Sequence, residues 1–181
     1  NEKELEKFIE EQEARTFRNF VCRRKRLYRK VNPLFANYFC TFTYDSKLHD
    51  EESFRKKIKI TFQNLASRKG WKYMGVWEKA RETKRLHFHG LFYIPNNCMP
   101  GELQEHDDYN FKSKRRRTTF QNTYFNEKFG RSDFVFIGSV FDLQNELSYI
   151  MKYMEKSEEK IVYSKGLNQY FISDILEEDV V

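Results

Sequence analysis

Alternating apolar and polar side chains in the middle of the chain predict a series of β-strands. The segment Arg85–Ile94 alternates most regularly. Because successive side chains of a strand point to opposite faces, His87 and His89 lie on one face and the apolar side chains on the other. The other predicted strands are Tyr38–Tyr44, Trp71–Lys79, Phe134–Val140 and Lys160–Tyr163.

Helical spacing of apolar residues predicts two amphipathic helices between these strands. Residues 50–68 form the first, and Lys69-Gly70 follows as a termination signal. Residues 143–157 form the second, with Asp142 or Asn145 as the capping residue at its start. The apolar positions are Phe54, Ile58, Phe62 and Leu65 in the first helix and Leu147, Ile150, Met151 and Met154 in the second.

The order of these elements is strand, helix, strand, strand, loop, strand, helix, strand. It predicts an α+β fold with a split βαβ, ferredoxin-like core, whose central antiparallel sheet has about five strands. We expect the folded domain to span residues 34–173, between a charged helical arm at 1–33 and an acidic tail at 174–181. Residues 95–121 lack periodicity and are predicted to be a mobile, basic surface loop inserted in the domain.

Positive charge is concentrated in two segments of the chain, which has 181 residues and a formal net charge of +6. Residues 14–30 hold eight Lys or Arg and no acidic residue; a solvated helix face and a phosphate-contacting surface both explain this pattern. Near the end of the 95–121 loop, a second basic run favours DNA contact over an inert insertion. The candidate DNA-binding residues are Arg23, Arg24, Lys25, Arg26, Arg115, Arg116 and Arg117.

Several protein classes are excluded by what the chain lacks. It has no Walker A sequence and so encodes no helicase ATPase. No segment approaches the ~20 apolar residues that span a membrane. The three cysteines have no metal-binding spacing and are expected to be reduced thiols. With no signal peptide visible, we expect a cytoplasmic protein, trimmed at its start because it does not begin with Met.

The histidine pair is the first candidate for chemistry. Two imidazoles side by side on an apolar strand suit a divalent metal ion, although buried histidines that are simply hydrogen bonded are an alternative. Glu78, near the end of the preceding strand, supplies a third ligand if the strand faces match. Together His87, His89 and Glu78 suit Mg²⁺ or Mn²⁺ in phosphoryl transfer better than structural zinc, which usually takes four protein ligands.

The helix at 143–157 carries the second candidate. Its polar side holds Tyr149, Lys152, Tyr153 and Lys156, opposite the apolar stripe. The two tyrosines are four residues apart, so their hydroxyls lie within one helical turn, and tyrosine is able to act as a nucleophile toward phosphorus. From this segment alone, surface tyrosines and lysines on an ordinary amphipathic helix remain an open alternative.

In combination, these motifs resemble the HUH endonucleases, and among them the rolling-circle replication initiators. Cys40-Thr41-Phe42-Thr43-Tyr44 resembles the first motif of that family, and His87-Phe88-His89, followed by Gly90, resembles its metal motif. Tyr149-Ile150-Met151-Lys152-Tyr153-Met154-Glu155-Lys156 is similar to the two-tyrosine motif of the gene A initiators of small isometric phages. The resemblance covers residues 36–167.

The resemblance implies site-specific nicking and rejoining of single-stranded DNA. His87, His89 and Glu78 would hold the metal ion that polarises the scissile phosphate. Tyr149 or Tyr153 would attack, forming a 5′-phosphotyrosine and releasing a 3′-OH that primes replication. In two-tyrosine members of the family, the second hydroxyl attacks later, as the circle is completed.

The resemblance also implies supporting residues and partners. Lys152 and Lys156 would orient or neutralise the phosphate and the tyrosinate, and Thr41 and Thr43 of the first motif are expected to contact DNA. The expected DNA partner is a single-stranded origin within a hairpin or cruciform of a phage or plasmid. A host helicase and the host replication machinery are further expected partners, and no membrane is involved.

Other functions use the same scaffold or the same chemistry. Transposases and conjugative relaxases share the reaction, although the small size and paired tyrosines favour a replication initiator. A non-catalytic nucleic-acid-binding or anti-defence protein needs neither the histidines nor the tyrosines. A metal-dependent ribonuclease on a similar fold is a third alternative.

Overall fold

The computed structural model describes residues 2–31, 34–80, 83–110, 114–156 and 160–167, and at residues 2, 110 and 154–156 the description is limited to the backbone. The chain divides into two units, one containing the N-terminal helix and the other spanning Leu34–Leu167. The whole sheet and every residue of the candidate site described below belong to the second unit.

The N-terminal arm is a continuous helix, α1, which spans Glu2–Val31. This confirms the prediction that the charged arm is helical. The four basic side chains Arg23, Arg24, Lys25 and Arg26 are exposed on it. Asn32-Pro33, which follows the helix, and the predicted acidic tail at 174–181 lie outside the described residues.

A sheet of seven antiparallel strands organises the described part of residues 34–167. The strands are β1 (Tyr38–Thr43), β2 (Lys72–Lys79), β3 (Leu86–Tyr93), β4 (Leu103–Asn110), β5 (Arg115–Asn122), β6 (Ser132–Phe136) and β7 (Val162–Tyr163). Their spatial order is β4-β5-β6-β1-β3-β2-β7, and all neighbours pair antiparallel. The α+β class is confirmed, whereas the prediction of about five strands is wrong.

The prediction of a mobile loop at 95–121 is also wrong, because most of this segment forms the β4–β5 hairpin. Most of its side chains are exposed, so neither strand shows the apolar alternation by which the other strands were predicted. Polar contacts stabilise the hairpin instead. The Arg131 guanidinium pairs with Asp108 of β4 and with Asp133 of β6, linking the hairpin to the rest of the sheet.

Helix α2 (Glu51–Lys69) begins and ends at residues that satisfy its free backbone groups. The Ser53 N–H donates to Asp50 Oδ1 at 2.7 Å, and Gly70 adopts a left-handed φ of 69° just after the last turn. The predicted helix and its termination at Lys69-Gly70 are confirmed.

Two further helices flank β6 in the chain. Helix α3 (Thr123–Lys128) was not predicted from the sequence. Helix α4 (Val140–Lys156) begins before the predicted start at 143, and the strand preceding it is correspondingly shorter than predicted. Ser139 caps α4 by accepting a hydrogen bond from the Asp142 N–H at 3.2 Å, so the assignment of the cap to Asp142 or Asn145 is wrong. Within the described residues, no helix is both long and apolar enough to span a membrane.

The two faces of the sheet contact different helices. On one face, Phe62 of α2 packs against sheet rings such as Phe88, with centroids 5.3 Å apart. On the other face, Tyr149 of α4 packs edge-on against Phe39 of β1, at 5.6 Å. The face that contacts α2 holds the aromatic core, and the face that contacts α4 holds the polar residues of the candidate site.

A pair of facing glycines allows close packing between β2 and β3. Gly75 lies opposite Gly90, and a Cβ added to Gly75 would lie 2.4 Å from the His89 carbonyl oxygen and 2.5 Å from Phe88 Cζ. We expect Gly75→Ala to lower the free energy of unfolding by about 1–3 kcal/mol, measured by urea denaturation. Gly138→Ala is the control, since its Cβ would approach no side chain closer than 3.4 Å. Equal stability of the two variants would contradict this account of the packing.

Candidate active site

Three adjacent strands bring the predicted metal ligands to one face of the sheet. His87 of β3 lies opposite Glu78 of β2 on one side and opposite Thr43 of β1 on the other. His89 lies opposite Thr41 of β1. Since directly opposite residues of an antiparallel pair share a face, the structure places Glu78 on the face of the two histidines, as the sequence interpretation required.

His89 is hydrogen bonded at both ring nitrogens. Its Nε2 lies 2.7 Å from Glu78 Oε2, and its Nδ1 lies 3.0 Å from Thr41 Oγ1. The His89 side chain is only 5% exposed, so both ring nitrogens need partners within the protein. Glu78 and Thr41 supply them and fix the orientation of the ring.

His87 is held in a similar way and is kept neutral. Its Nδ1 lies 2.7 Å from Thr43 Oγ1, and its ring centroid lies 6.0 Å from that of His89. Burial, together with the neighbouring His89, lowers the pKa of His87 below its usual value. A lowered pKa favours the neutral imidazole, which is the form that donates a lone pair to a cation.

Helix α4 places both candidate nucleophiles over the histidines. The Tyr153 ring stacks on the His89 ring with centroids 5.1 Å apart and planes inclined by 11°, and Tyr149 meets the same ring edge-on at 5.4 Å. The two phenol oxygens are 2.8 Å apart. Leu147 and Ile150 are buried and anchor the helix. Both tyrosines therefore contact the histidine face of the sheet.

The surroundings of the two tyrosines favour the protonated phenols. Burial raises the pKa of Tyr149 well above its usual value, and the hydroxyl of Tyr153 and the carboxylates of Glu78 and Glu146 raise it further. Burial also raises the pKa of Tyr153; its hydrogen bond to Tyr149 opposes this shift, and Glu78 adds to it. Ionisation of either phenol at neutral pH thus requires positive charge nearby.

The predicted DNA-binding arginines of the hairpin do not all lie on the same face. Arg115, Arg116 and Arg117 are exposed on β5. Pairing leads from Gln121 of β5 across β6 to Thr41 of β1, so the odd-numbered residues of β5 share the histidine face. Arg115 and Arg117 therefore lie on the face of the candidate site, and Arg116 lies on the opposite face.

The two predicted lysines both belong to α4. Lys152 is exposed, whereas the side chain of Lys156 lies outside the described part of the chain. Lys152 follows Tyr149 by three residues, so both lie on the same side of the helix. The assistance expected from these lysines stays a prediction.

Three charged residues near the site were missed in the sequence. Asp133 lies opposite Thr41 on β6 and forms an ion pair with Arg131, with Oδ2 and Nε 2.9 Å apart. Glu146 precedes Tyr149 by three residues on α4, and its charge raises the pKa of that tyrosine. The helical spacing of Glu146 was a visible signal, whereas the position of Asp133 depends on the pairing of β6 with β1, which the sequence does not specify.

Glu146 is expected to lower the stability of the protein when it is ionised. Burial raises its pKa, and the charge of Arg117 only partly opposes the shift. A carboxyl whose pKa is higher in the folded than in the unfolded state destabilises the fold at pH values above both pKa values. We therefore expect Glu146→Gln to raise Tm at neutral pH.

The effect of Glu146→Gln is expected to be modest and to depend on pH. Because Glu146 is partly exposed, the gain should stay below about 1 kcal/mol. It should shrink as the pH falls below about 4, where the carboxyl is protonated in both states. Thermal melts at both pH values test this, with the exposed Glu127→Gln as the control. A gain that grows at acidic pH would show that the sign is wrong.

The candidate ligands suit a divalent cation chemically, although they are not arranged around a cation position. Within the described residues, no group of three or more His, Cys, Asp or Glu side chains is arranged to hold a metal ion. The 2.7 Å between His89 Nε2 and Glu78 Oε2 is nevertheless close to the ~3 Å that separates neighbouring ligands of an octahedral Mg²⁺. Entry of a cation would require the Glu78 carboxylate to release the imidazole, so a cation site stays a prediction.

Comparison with known proteins identifies a family. A family model of replication-associated proteins of the ORF2 type matches residues 37–158. This range contains strands β1 to β6 and both candidate tyrosines. No curated protein and no solved structure gives a significant match.

Proposed function

Since this chain belongs to the ORF2-type family of replication-associated proteins, we propose that it initiates rolling-circle replication by nicking single-stranded origin DNA. Family membership supports a role in replication initiation and in DNA binding. The proposal adds the chemistry of a metal-dependent, two-tyrosine HUH endonuclease that stays covalently bound to the cut DNA.

The observation that carries this proposal is the convergence of two phenols on a pair of histidines. Tyr149 and Tyr153 both contact the His89 ring, which itself bonds Glu78. A protein that only binds nucleic acid gains nothing from two nucleophiles and a carboxylate gathered around a buried imidazole. Nucleophilic attack on phosphorus uses each of these groups.

In the proposed reaction, the phenol oxygen of Tyr149 or Tyr153 forms a bond to phosphorus while the P–O3′ bond breaks. The phenol loses its proton, and the departing O3′ gains a proton to become a free 3′-OH. The raised pKa values of both phenols oppose this ionisation. A divalent cation held by His87, His89 and Glu78 would supply the positive charge that the reaction needs.

The spacing of the phenols suits two successive strand transfers. With their oxygens 2.8 Å apart, either phenol is placed to donate a hydrogen bond to the other as negative charge develops there. While one tyrosine carries the DNA, the other stays available for a second attack. The phosphotyrosine bond conserves the energy of the phosphodiester, so rejoining needs no ATP. The proposed role of Lys152 and Lys156 is to neutralise phosphate or tyrosinate.

The finer fold assignment supports the same family of enzymes. Strands β6, β1, β3 and β2 are consecutive in the sheet, and the α2 crossover joins β1 to β2 on either side of β3. This is the strand order of a ferredoxin-like split βαβ arrangement, which we propose as the core of the domain. The β4–β5 hairpin extends that core on the β6 side.

We propose that the DNA lies across the histidine face between α4 and the β4–β5 hairpin. Arg115 and Arg117 share that face, and the charge of Arg117 reaches Glu146 of α4. The exposed basic residues of α1 at 23–26 are proposed as further phosphate contacts. Strand separation would be left to a host helicase, because the sequence has no ATPase motif.

The proposed function is tested by trapping the covalent intermediate. The protein is incubated with Mn²⁺ and single-stranded DNA that carries the origin of its own replicon or a random pool, and is then run on a denaturing gel. A 5′-phosphotyrosine attaches the protein to the downstream fragment, so 3′-labelled DNA should give an adduct and 5′-labelled DNA only a shortened free product.

The same assay separates the alternatives. Transfer of label to the protein from 5′-labelled DNA would contradict the proposed polarity. Absence of an adduct on every DNA tested would rule out the nicking mechanism. Cleavage of RNA without an adduct would favour a ribonuclease, and tight DNA binding without cleavage would favour a non-catalytic binding protein.

A further inference from the structure

Thr41 and Thr43 repeat the spacing of the histidine pair on the neighbouring strand. Each threonine lies directly opposite its histidine across β1 and β3, at Thr41↔His89 and Thr43↔His87. The Oγ1–Nδ1 distances are 3.0 Å and 2.7 Å. Both hydroxyls, which were expected to contact DNA, are therefore engaged with imidazoles, and both rings present Nε2 on the side away from their threonine.

The partner of Nδ1 determines what Nε2 is able to do. A neutral imidazole carries one proton, so Nε2 binds a cation only when that proton is on Nδ1. A threonine hydroxyl accepts a hydrogen bond from Nδ1–H and equally donates one to a bare Nδ1. It therefore accommodates both tautomers without moving the ring.

In the cation-free structure, His89 shows one of these two states. Its Nε2 lies 2.7 Å from the Glu78 carboxylate, which only accepts hydrogen bonds when ionised. In the neutral ring the proton is then on Nε2, and the Thr41 hydroxyl donates to Nδ1. Cation binding at Nε2 requires the opposite arrangement, in which Nδ1–H donates to Thr41.

We infer that Thr41 and Thr43 are positioning residues that control the tautomer of the cation-binding histidines. On cation binding, His89 loses the proton on Nε2 and gains one on Nδ1, so the ring stays neutral while the Thr41 hydrogen bond reverses direction. The inference rests on the proposed function, because it requires the histidines to bind a cation. It assigns the first sequence motif to the metal centre.

The first measurement is the tautomer of His89 in the folded protein. Long-range ¹H–¹⁵N NMR of histidine-labelled protein is recorded at about pH 8.5, above the usual charge transition of histidine. We expect the proton of His89 on Nε2 without cation and on Nδ1 after Mg²⁺ is added. An unchanged tautomer in the Mg²⁺-saturated protein would overturn the inference.

The second measurement is Mn²⁺ affinity, from the EPR signal of free Mn²⁺. Thr41→Val and Thr43→Val keep the side-chain shape but remove the hydroxyl, and each is expected to weaken binding about 10- to 100-fold. Thr41→Ser and Thr43→Ser keep the hydroxyl and should bind like the wild type. Thr61→Val, at a buried threonine of α2, is the control.

Thermal melts keep a folding defect separate from a loss of ligand control. Thr41→Ala and Thr43→Ala provide a second pair should the valine variants fail to fold. Mn²⁺ binding by the hydroxyl-free variants at wild-type affinity would overturn this inference and leave the proposed function intact. A wild-type protein that forms DNA adducts without binding Mn²⁺ or Mg²⁺ would overturn both the inference and the proposed metal chemistry.

Discussion

Replacing Tyr149 and Tyr153 together by phenylalanine is expected to abolish covalent protein–DNA adducts, a loss of at least about 10⁴-fold. The double variant lacks both nucleophilic oxygens. It keeps both rings, and therefore the contacts with the His89 ring that hold α4 on the sheet. Adduct formation is measured with 3′-labelled single-stranded DNA on denaturing gels.

Each single variant should retain partial activity. The phenol oxygens are 2.8 Å apart, so the remaining tyrosine reaches nearly the same position over the histidines. Tyr93→Phe is the control, because Tyr93 lies at the end of β3 and is not among the candidate nucleophiles. Undiminished adducts from the double variant would refute the assignment of the tyrosines and leave the fold unaffected.

His87→Ala is expected to remove Mn²⁺ binding and to slow adduct formation by about 10³-fold or more, because the site loses one of its proposed ligands. His87 is preferable to His89 for this test. The His89 ring also contacts both tyrosines, so its removal would alter the nucleophiles as well as the cation site.

The matched control for this prediction is His106→Ala. His106 is exposed on β4, outside the candidate site, and its replacement should leave both Mn²⁺ affinity and adduct yield unchanged. Single-turnover rates at several Mn²⁺ concentrations separate weaker binding from slower chemistry. If His87→Ala and His106→Ala behave alike, His87 is not a cation ligand.

The elements that bury one face were predictable from the sequence. Strand β3 was found because its alternation separates His87 and His89 from the apolar side chains that pack against α2. Helix α2 was found because apolar residues recur at helical spacing and Gly70 follows the last turn. In both cases the pattern reflects burial, which is the property that an apolar periodicity measures.

Elements that are stabilised by polar contacts were not predictable in this way. The β4–β5 hairpin exposes most of its side chains, so it carries no apolar alternation. Helix α3 has only six residues, too few for a helical period to stand out. The start of α4 was misplaced because Ser139, between a strand and a helix, was not recognised as the cap.

The candidate site was predictable residue by residue, but its internal contacts were not. The types and spacing of His87, His89, Tyr149 and Tyr153 were visible in the sequence. The bonds from Thr41 and Thr43 to the histidines depend on the register between β1 and β3, which strands separated by more than 40 residues do not reveal. Glu78 was assigned to the correct face only on the condition that its register matched.

The strand that escaped prediction also protects the folded protein from other copies of itself. In the described part of the chain, β4 is the outermost strand, so its free backbone groups offer a template for pairing with another sheet. Glu105, Asp107 and Asp108 place negative charge along that edge. Two such edges repel each other, which disfavours edge-to-edge aggregation. The charges that hide β4 from an apolar pattern thus help to keep neighbouring copies of the protein apart.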